Sequence, residues 1–260
     1  TQYQGSERAL FVTRSADGRQ WAEPRMLAYI QKGHYQISNR CGQRVGTCFN
    51  MHPQPEGLNF RTNLYYMETA DLGQTWTNAA GEPVTPPLRE VRNHALVHDF
   101  QGEGRKVYLK DINFDADGHP VLLVVTSEGF EPGPENGPRF VTTVRWTGSE
   151  WDIQAHVETQ SNYDTGCLHI DSGGEWRMVF PTEPGPQPYN PGGEMVLWTS
   201  EDQGHSWRRV CDITRGSEFN HTYARRPVAA HPDFYAFWAD GHARKPSESR
   251  LYFCNRDGRA

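Results

Sequence analysis

The chain has 260 residues, enough to bury a sizeable hydrophobic core, and we expect a single domain over residues 1–260. Its formal net charge is −6 at pH 7, so nothing marks the whole molecule as a nucleic-acid binder. No stretch approaches the roughly 20 apolar residues that span a bilayer, and no basic and apolar leader opens the chain, which begins without Met. We therefore expect no membrane span and a mature, trimmed or truncated product.

The composition favours short strands joined by frequent turns. Aromatic residues make up 12% of the chain, and 25 glycines and 18 prolines interrupt it. No long apolar pattern has the helical period of about 3.6 residues. These features together predict an all-β fold.

The first predicted element is a pair of strands, Ala9–Thr13 and Arg25–Leu27, around the turn Ser15–Trp21. The same arrangement of Asp, Gly and Trp returns at Thr69–Trp76 and Ser200–Trp207. Asp accepts hydrogen bonds from backbone N–H groups inside a turn, Gly adopts a positive φ, and Trp begins the next strand and covers the turn. The three copies predict a repeat architecture, with structural aspartates and with the tryptophans in the core.

Four further units of predicted strands follow along the chain. The second unit contains His34–Arg40, Val45–Asn50 and Asn63–Thr69, then the second turn, and 81–88 closes it. The third contains Asn93–Asp99, Val107–Asn113, Pro120–Thr126, Phe140–Trp146 and Trp151–His156. The fourth contains Tyr163–Ile170, Trp176–Phe180, Glu194–Thr199 and Trp207–Val210, and the fifth contains His221–Ala229, Phe234–Trp238 and Arg250–Cys254.

These units begin about 60 residues apart, the period of four-stranded antiparallel blades in a β-propeller. About four and a half blades are visible. The sequence therefore predicts either a five-bladed ring or a ring of about six or seven blades that is incomplete at the N-terminus.

Polar residues stand where the first strand of each of the four later blades is predicted to begin. These positions read Gly33-His34-Tyr35, Asn93-His94, Asn162-Tyr163-Asp164 and Asn220-His221-Thr222-Tyr223. First strands line the central channel of a propeller, so we expect these side chains to meet around one pocket. The alternative is that each Asn or His caps a strand end and bonds the backbone. The candidates for proton transfer are His34, Tyr35, His94, His221 and Tyr223.

Arginines near the same strands suit an anionic sugar, because a guanidinium binds a carboxylate or sulfate with two parallel hydrogen bonds. The candidates for substrate binding are Arg40, Arg44, Asn93, Tyr163, Arg225, Arg226 and His242. A hydrolase would instead need two carboxylates that flank a glycosidic bond. Asp99, Asp111, Asp164 and Asp240 are available, but their separation is open.

Metal sites are weaker hypotheses. The five cysteines are scattered, which favours free and partly buried thiols. Cys48 and His52 are close enough in sequence to leave a structural zinc ion open, although the spacing is atypical. Asp115-Ala116-Asp117-Gly118 could be imagined as a calcium loop, but it lacks the downstream Glu of an EF-hand and favours an ordinary hairpin turn. We expect no required cofactor.

The three turns have the Asp-box, or BNR, pattern. Together with Arg225-Arg226-Pro227, 237–242 and 251–253, they resemble the BNR-repeat propellers, which include ulvan lyase-type polysaccharide lyases and, more distantly, sialidases. The resemblance implies a secreted or periplasmic, carbohydrate-active propeller that acts on an acidic polysaccharide. It implies that Tyr35 matches the family's Tyr, Arg40 or Arg44 its Arg, and Cys48 and His52 its zinc ligands.

The family's two histidines precede its Tyr, whereas His34 is the only histidine before Tyr35 here, and His94 and His221 could substitute by position. In such a lyase, Arg neutralises a uronate carboxylate, Tyr or His removes the C5 proton, and an acid protonates the leaving oxygen. Two alternatives are a sialidase-like glycoside hydrolase and a non-catalytic glycan-binding propeller. A sialidase would normally have an Arg-Ile-Pro segment near its start, and this sequence has none.

Overall fold

A computed structural model describes residues 2–4, 7–171 and 173–260, with the backbone alone at 2–4. The described residues form eighteen β-strands, two short 3₁₀ turns (Leu58–Phe60 and Pro134–Asn136) and no α-helix. None of their helical segments has the length or apolar character that crossing a membrane requires.

The strands form five antiparallel sheets in chain order. Sheet 1 contains β1 (Gln2–Gln4), β2 (Glu7–Val12) and β3 (Arg25–Ala28). Sheet 2 contains β4 (Gln36–Cys41), β5 (Arg44–Met51), β6 (Thr62–Thr69) and β7 (Leu96–His98). Sheet 3 contains β8 (Lys106–Phe114), β9 (Pro120–Ser127), β10 (Arg139–Trp146) and β11 (Trp151–Thr159). Sheet 4 contains β12 (Cys167–Ile170), β13 (Trp176–Glu183), β14 (Glu194–Ser200) and β15 (Arg208–Asp212), and sheet 5 contains β16 (Asn220–Arg225), β17 (Ala236–Gly241) and β18 (Leu251–Cys254).

Each sheet is a meander in which every strand pairs with the next one along the chain. Four hydrophobic cores join consecutive sheets, from sheets 1 and 2 through to sheets 4 and 5. Stacked meanders of this kind are the blades of a β-propeller. The predicted all-β propeller of antiparallel blades is confirmed.

The predicted first strand of the third blade was misplaced. Asn93–Asp99 was expected there, but β7 is the last strand of sheet 2, and it pairs with β6 through Leu64 opposite His98. The outer edge of β6 leaves backbone groups that need partners, and the returning chain supplies them. The inner strand of sheet 3 is β8, which packs against the inner strands β4 and β12.

The three Asp-centred turns share one hydrogen-bonding pattern. Asp71 accepts the backbone N–H groups of Gln74 and Thr75 at 2.8 and 2.9 Å, and Thr69 accepts the N–H of Gly73 at 2.8 Å. Asp17 and Asp202 form equivalent bonds. These bonds lower the pKa of all three carboxyls, led in Asp71 by the Thr75 hydroxyl. The aspartates are therefore structural, as predicted.

The tryptophans of these turns do not share one environment. Trp76 is buried in the core between sheets 1 and 2, and Trp207 packs against the core between sheets 3 and 4. Trp21 is 61% exposed, so its predicted core position is wrong. Trp76 and Trp207 each lie against the sheet that precedes their own, and within the described residues no sheet precedes sheet 1.

Amide side chains join neighbouring sheets. Asn39 of β4 donates to the carbonyl of Ile112 at 2.9 Å, and Asn113 of β8 donates to the carbonyl of Leu168 on β12 at 3.0 Å. Asn50 donates to the carbonyl of Val107 at 3.1 Å. Buried backbone carbonyls at the joints of sheets 2, 3 and 4 are satisfied in this way.

Candidate functional site

Arg61 lies at the centre of a cluster of tyrosines from three sheets. It follows the 3₁₀ turn Leu58–Phe60, and its Nε donates to the carbonyl of Leu58 at 2.9 Å. Its guanidinium carbon lies 4.6 Å from the ring centre of Tyr35, 4.2 Å from that of Tyr108 and 5.5 Å from that of Tyr163. We call Tyr35, Arg61, Tyr108 and Tyr163 the tyrosine–arginine cluster.

The polar atoms of this cluster are not equally engaged. Tyr108 is buried and donates its hydroxyl to the carbonyl of Asn59 at 2.8 Å, and burial raises its pKa. Tyr163 is 43% exposed, and Arg61 Nη2 donates to its hydroxyl at 3.5 Å. Among the described residues, neither Arg61 Nη1 nor the Tyr35 hydroxyl has a hydrogen-bond partner. These atoms are the ones that a ligand could engage.

His52 lies beside Tyr35, with 4.9 Å between ring centres. Its side chain is buried, and its Nε2 has no hydrogen-bond partner among the described atoms. Burial, assisted by the positive charges of Arg61 and Arg8, lowers the pKa of His52 to about 3. The imidazole is therefore neutral at physiological pH.

Cationic residues surround the cluster. The Arg8 guanidinium lies 4.9 Å from the ring centre of Tyr35, the same ring that Arg61 faces. Lys110 is buried beside Tyr108. Burial lowers the pKa of Lys110, and the positive charge of Arg61 lowers it further. The arrangement favours an anionic ligand.

The structure thus brings together two of the predicted residues, Tyr35 and Tyr163. His34 adjoins them but is fully buried, and both of its ring nitrogens are used. Its Nδ1 bonds the carbonyl of Asn50 at 2.9 Å, and its Nε2 accepts the N–H of Ile30 at 3.0 Å. This geometry gives His34 a structural role, as in the alternative that the sequence left open.

Asn93 and His94 do not reach the channel. Both lie in the loop before β7, the outer strand of sheet 2, and His94 is exposed. The Asn93 side chain bonds within its own loop, at Glu90 and Ala95. Their predicted position at an inner strand is wrong, because the chain from residue 93 completes sheet 2 rather than beginning sheet 3.

Arg40 and Arg44 also lie away from the cluster. Arg40 is exposed on β4. Arg44 pairs with Glu68 at 2.7 and 2.9 Å and donates to the carbonyl of Gly118 at 2.8 Å. These bonds engage the Arg44 guanidinium and join sheets 2 and 3.

His221 belongs to a buried relay. The Nε1–H of Trp238 donates to His221 Nδ1 at 2.9 Å, so His221 carries its proton on Nε2, which lies 2.9 Å from Ser217 Oγ. Ser217 Oγ in turn donates to Glu194 at 2.8 Å. Burial lowers the pKa of His221. With both nitrogens engaged inside the protein, His221 has no free atom for a substrate.

The remaining predicted residues of sheet 5 lie on its first strand or beyond it. Tyr223 is 58% exposed, and the Arg225 guanidinium stacks 4.1 Å above its ring centre. Arg225 donates to the carbonyl of Lys110 at 3.2 Å, and Arg226 donates to the carbonyl of Ile112 at 3.2 Å. Both arginines therefore cross the channel to β8. His242 lies in the loop after β17, where its Nδ1 accepts the N–H of Arg244 at 3.2 Å.

The predicted metal ligands lie in different surroundings. Cys48 is buried in the core between sheets 2 and 3, and burial raises its pKa to about 12, whereas His52 packs on Tyr35. A three-ligand group within the described chain is Asp115, Asp117 and His119. There Asp115 accepts two backbone N–H groups of its own hairpin and pairs with Arg145 at 3.0 Å. The Asp115 carboxylate is thus already paired with the Arg145 guanidinium, which agrees with the hairpin interpretation.

Sequence reasoning missed Arg61, Tyr108 and Lys110. Tyr108 and Lys110 lie two residues apart on β8, on one face of the strand, but the sequence pattern predicts this strand as the second of its blade. Arg61 carries no local signal, since it stands in a connection between β5 and β6.

A cavity of about 620 Å³ lies between sheets 1 and 2 beside the second Asp-centred turn. Arg25 is the one titratable residue among those lining it, and Arg25 bonds the carbonyl of Gly73. The cavity offers no pair of groups that could exchange protons, so the tyrosine–arginine cluster is the better candidate site.

A scan against protein-family models finds no match, and neither does a search of curated proteins. Solved structures do match. An ulvan lyase of polysaccharide lyase family PL25, bound to -[GlcA(1-4)Rha3S]-, has a TM-score of 0.73 and 18% identity over 95% of this chain and 59% of that chain. The polysaccharide lyase Uly1 has a TM-score of 0.62 and 13% identity over 97% of this chain and 54% of that chain.

A protein of unknown function from Dyadobacter fermentans has a TM-score of 0.56 and 15% identity, over 95% of this chain and 68% of that chain. The chain therefore spans between about half and two thirds of the length of these proteins. At such low identity, the likeness establishes a shared propeller fold.

Proposed function

We propose that this protein binds an acidic, uronate-containing polysaccharide at the tyrosine–arginine cluster and cleaves it by β-elimination. The observation that carries the proposal is the guanidinium of Arg61, enclosed by three tyrosine rings, with Nη1 unbonded to the described residues. The fold likeness to two polysaccharide lyases supports the choice of reaction.

In the proposed reaction, Arg61 pairs with the uronate carboxylate and stabilises the negative charge that develops when the C5 proton leaves. Tyr35 acts as the base that takes that proton, and the guanidinium carbons of Arg8 and Arg61 lie 4.9 and 4.6 Å from its ring centre. The C4–O bond then breaks, a C4–C5 double bond forms, and Tyr163 donates its hydroxyl proton to the leaving oxygen. Solvent then removes a proton from Tyr35 and returns one to Tyr163, which resets both groups.

A hydrolase of the two-carboxylate type is less well supported, because three of the four candidate carboxylates accept hydrogen bonds within the protein. Asp111 accepts the N–H groups of Ile112 and Leu168 at 2.9 Å each. Asp164 accepts the Thr159 hydroxyl and the Gly192 N–H at 2.6 Å each, and Asp240 accepts the N–H of Arg250 at 2.6 Å.

The test is incubation of the purified chain with a uronate polymer while the ultraviolet absorbance of the unsaturated uronide is followed. Elimination creates this chromophore, and hydrolysis does not. We expect Arg61→Ala to lower kcat/KM by about 10²-fold or more, and Arg208→Ala, on the outer strand β15, to leave it unchanged. Tyr163→Phe keeps the ring contacts and should lower kcat. Polymer binding without an unsaturated product would overturn the lyase proposal in favour of a glycan-binding propeller.

A further inference from the structure

Two buried cations meet on one residue beside the candidate site. Lys110, Arg139 and Asn162 are each at most 3% exposed. Lys110 Nζ donates to the backbone carbonyl of Asn162 at 2.6 Å, and Arg139 Nε donates to its side-chain carbonyl oxygen at 3.0 Å. Buried charges are costly unless they are paired or hydrogen-bonded, and here both cations are hydrogen-bonded to Asn162.

Asp164 provides the compensating charge. It is 1% exposed and is held by the Thr159 hydroxyl and by the N–H groups of Ser161 and Gly192, at 2.6–2.8 Å. Burial lowers the pKa of Lys110 and of Arg139, and the negative charge of Asp164 raises both. The group of two cations and one anion is therefore a built electrostatic unit inside the protein.

This unit holds two loops, one that carries Tyr163 beside Arg61 and one that contacts Phe60, the residue before Arg61. Asn162 precedes Tyr163 directly, and its amide donates to the carbonyl of Gly129 at 2.9 Å. Arg139 donates to the carbonyls of Gly133 and Glu131 at 3.1 and 2.5 Å. Between these anchor points lies Phe130, whose ring centre is 4.8 Å from that of Phe60, the residue before Arg61.

We propose that Lys110 and Arg139 are positioning residues that clamp Asn162 and thereby fix Tyr163 and Phe130 around Arg61. Neither cation touches the substrate in this account. Lys110 acts through the backbone of the loop that carries Tyr163, and Arg139 acts through the loop that carries Phe130. The kinetic consequence rests on the proposed function, whereas the positioning itself does not.

The first experiment measures amide hydrogen exchange and needs no substrate. In Lys110→Met, we expect faster exchange in peptides that cover 159–166 and 128–139, with unchanged exchange in β4 and β5. Lys245→Met, a change at an exposed lysine in the loop after β17, is the matched control. If Lys110→Met is unstable, Arg139→Lys keeps the charge but loses the forked donors, and it should raise exchange in 128–139. Wild-type exchange in these peptides would overturn the proposal.

The second experiment is a double-mutant cycle on kcat with the uronate polymer. If Lys110 acts through Tyr163, Lys110→Met and Tyr163→Phe should each lower kcat by about tenfold, and the double variant should lose little more than either single variant. Fully additive losses would overturn the proposal, because a general structural defect would not depend on Tyr163. If the wild-type chain cleaves no polymer, the proposed function fails, and the exchange experiment still decides the positioning role.

Discussion

The bonding of individual polar atoms decides which side chains can act. His34 and His221 each form hydrogen bonds to neighbouring residues with both ring nitrogens. The Arg44 guanidinium is bonded to Glu68 and to a backbone carbonyl. Arg61 keeps one donor nitrogen free of the described residues in the middle of an aromatic enclosure. Residue type alone would rank these groups equally, and the order emerges from the atoms that remain available.

The cysteines give a prediction at this scale. Cys48, Cys167 and Cys254 are buried, and burial raises their pKa, in Cys48 to about 12 and in Cys254 to about 11. Because the thiolate is the reactive form, we expect these three thiols to resist a thiol reagent in the folded protein. Cys41 and Cys211 are partly exposed and should react first.

Reagent titration with mass spectrometry of the labelled peptides checks this expectation. All five thiols should react after unfolding in denaturant, which provides the control. Rapid native labelling of Cys48 would contradict the buried position assigned to it.

At the level of elements, we expect the same turn to contribute differently to the free energy of unfolding in different sheets. Trp76 is 7% exposed and packs in the core between sheets 1 and 2, whereas Trp21 occupies the same place in the first turn and is 61% exposed. We expect Trp76→Ala to lower the free energy of unfolding by about 3–5 kcal/mol. Trp21→Ala should change it by about 0.5 kcal/mol or less.

Denaturant unfolding of the two variants makes the comparison, since each replaces the last residue of an Asp-centred turn. Equal losses would mean that the turn itself, rather than contact with the preceding sheet, determines the effect.

The turns and strands were predictable where the signal is local. Asp71 and Gly73 specify their turn within a few residues, so the hairpin followed from spacing alone. The polar pair Asn93-His94 was misread because an inner and an outer strand can begin with the same residue types. Arg61 could not be found, since its position among Tyr35, Tyr108 and Tyr163 depends on the packing of three sheets.

On the scale of the whole molecule, buried neutral histidines make stability depend on pH. Burial lowers the pKa of His34 and His156 to about 4 and that of His52 and His169 to about 3. In the unfolded chain these groups titrate near pH 6.5. As pH falls below that value, the unfolded state binds more protons than the folded state, so stability decreases until the folded pKa is reached.

We therefore expect the free energy of unfolding to fall between about pH 6.5 and 4, by up to ~2 kcal/mol at pH 5 for a fully buried histidine such as His34. Denaturant unfolding at several pH values measures the slope. His169→Gln should reduce the slope, whereas His94→Gln, at an exposed histidine, should not. The same slope in both variants would contradict this account. The Asp-centred turns, whose carboxyl pKa values are lowered, add a separate loss only in more acidic solution.

The amide hydrogen bonds between neighbouring sheets have an evolutionary consequence. Asn39, Asn50 and Asn113 each grip a main-chain oxygen of the neighbouring blade, and an oxygen of that kind is present whatever side chain the position bears. The channel-facing residues of a blade can therefore change during evolution, and its chemistry with them, while the hydrogen bonds to the neighbouring blade are kept. Divergence at the axis is thereby uncoupled from assembly of the ring.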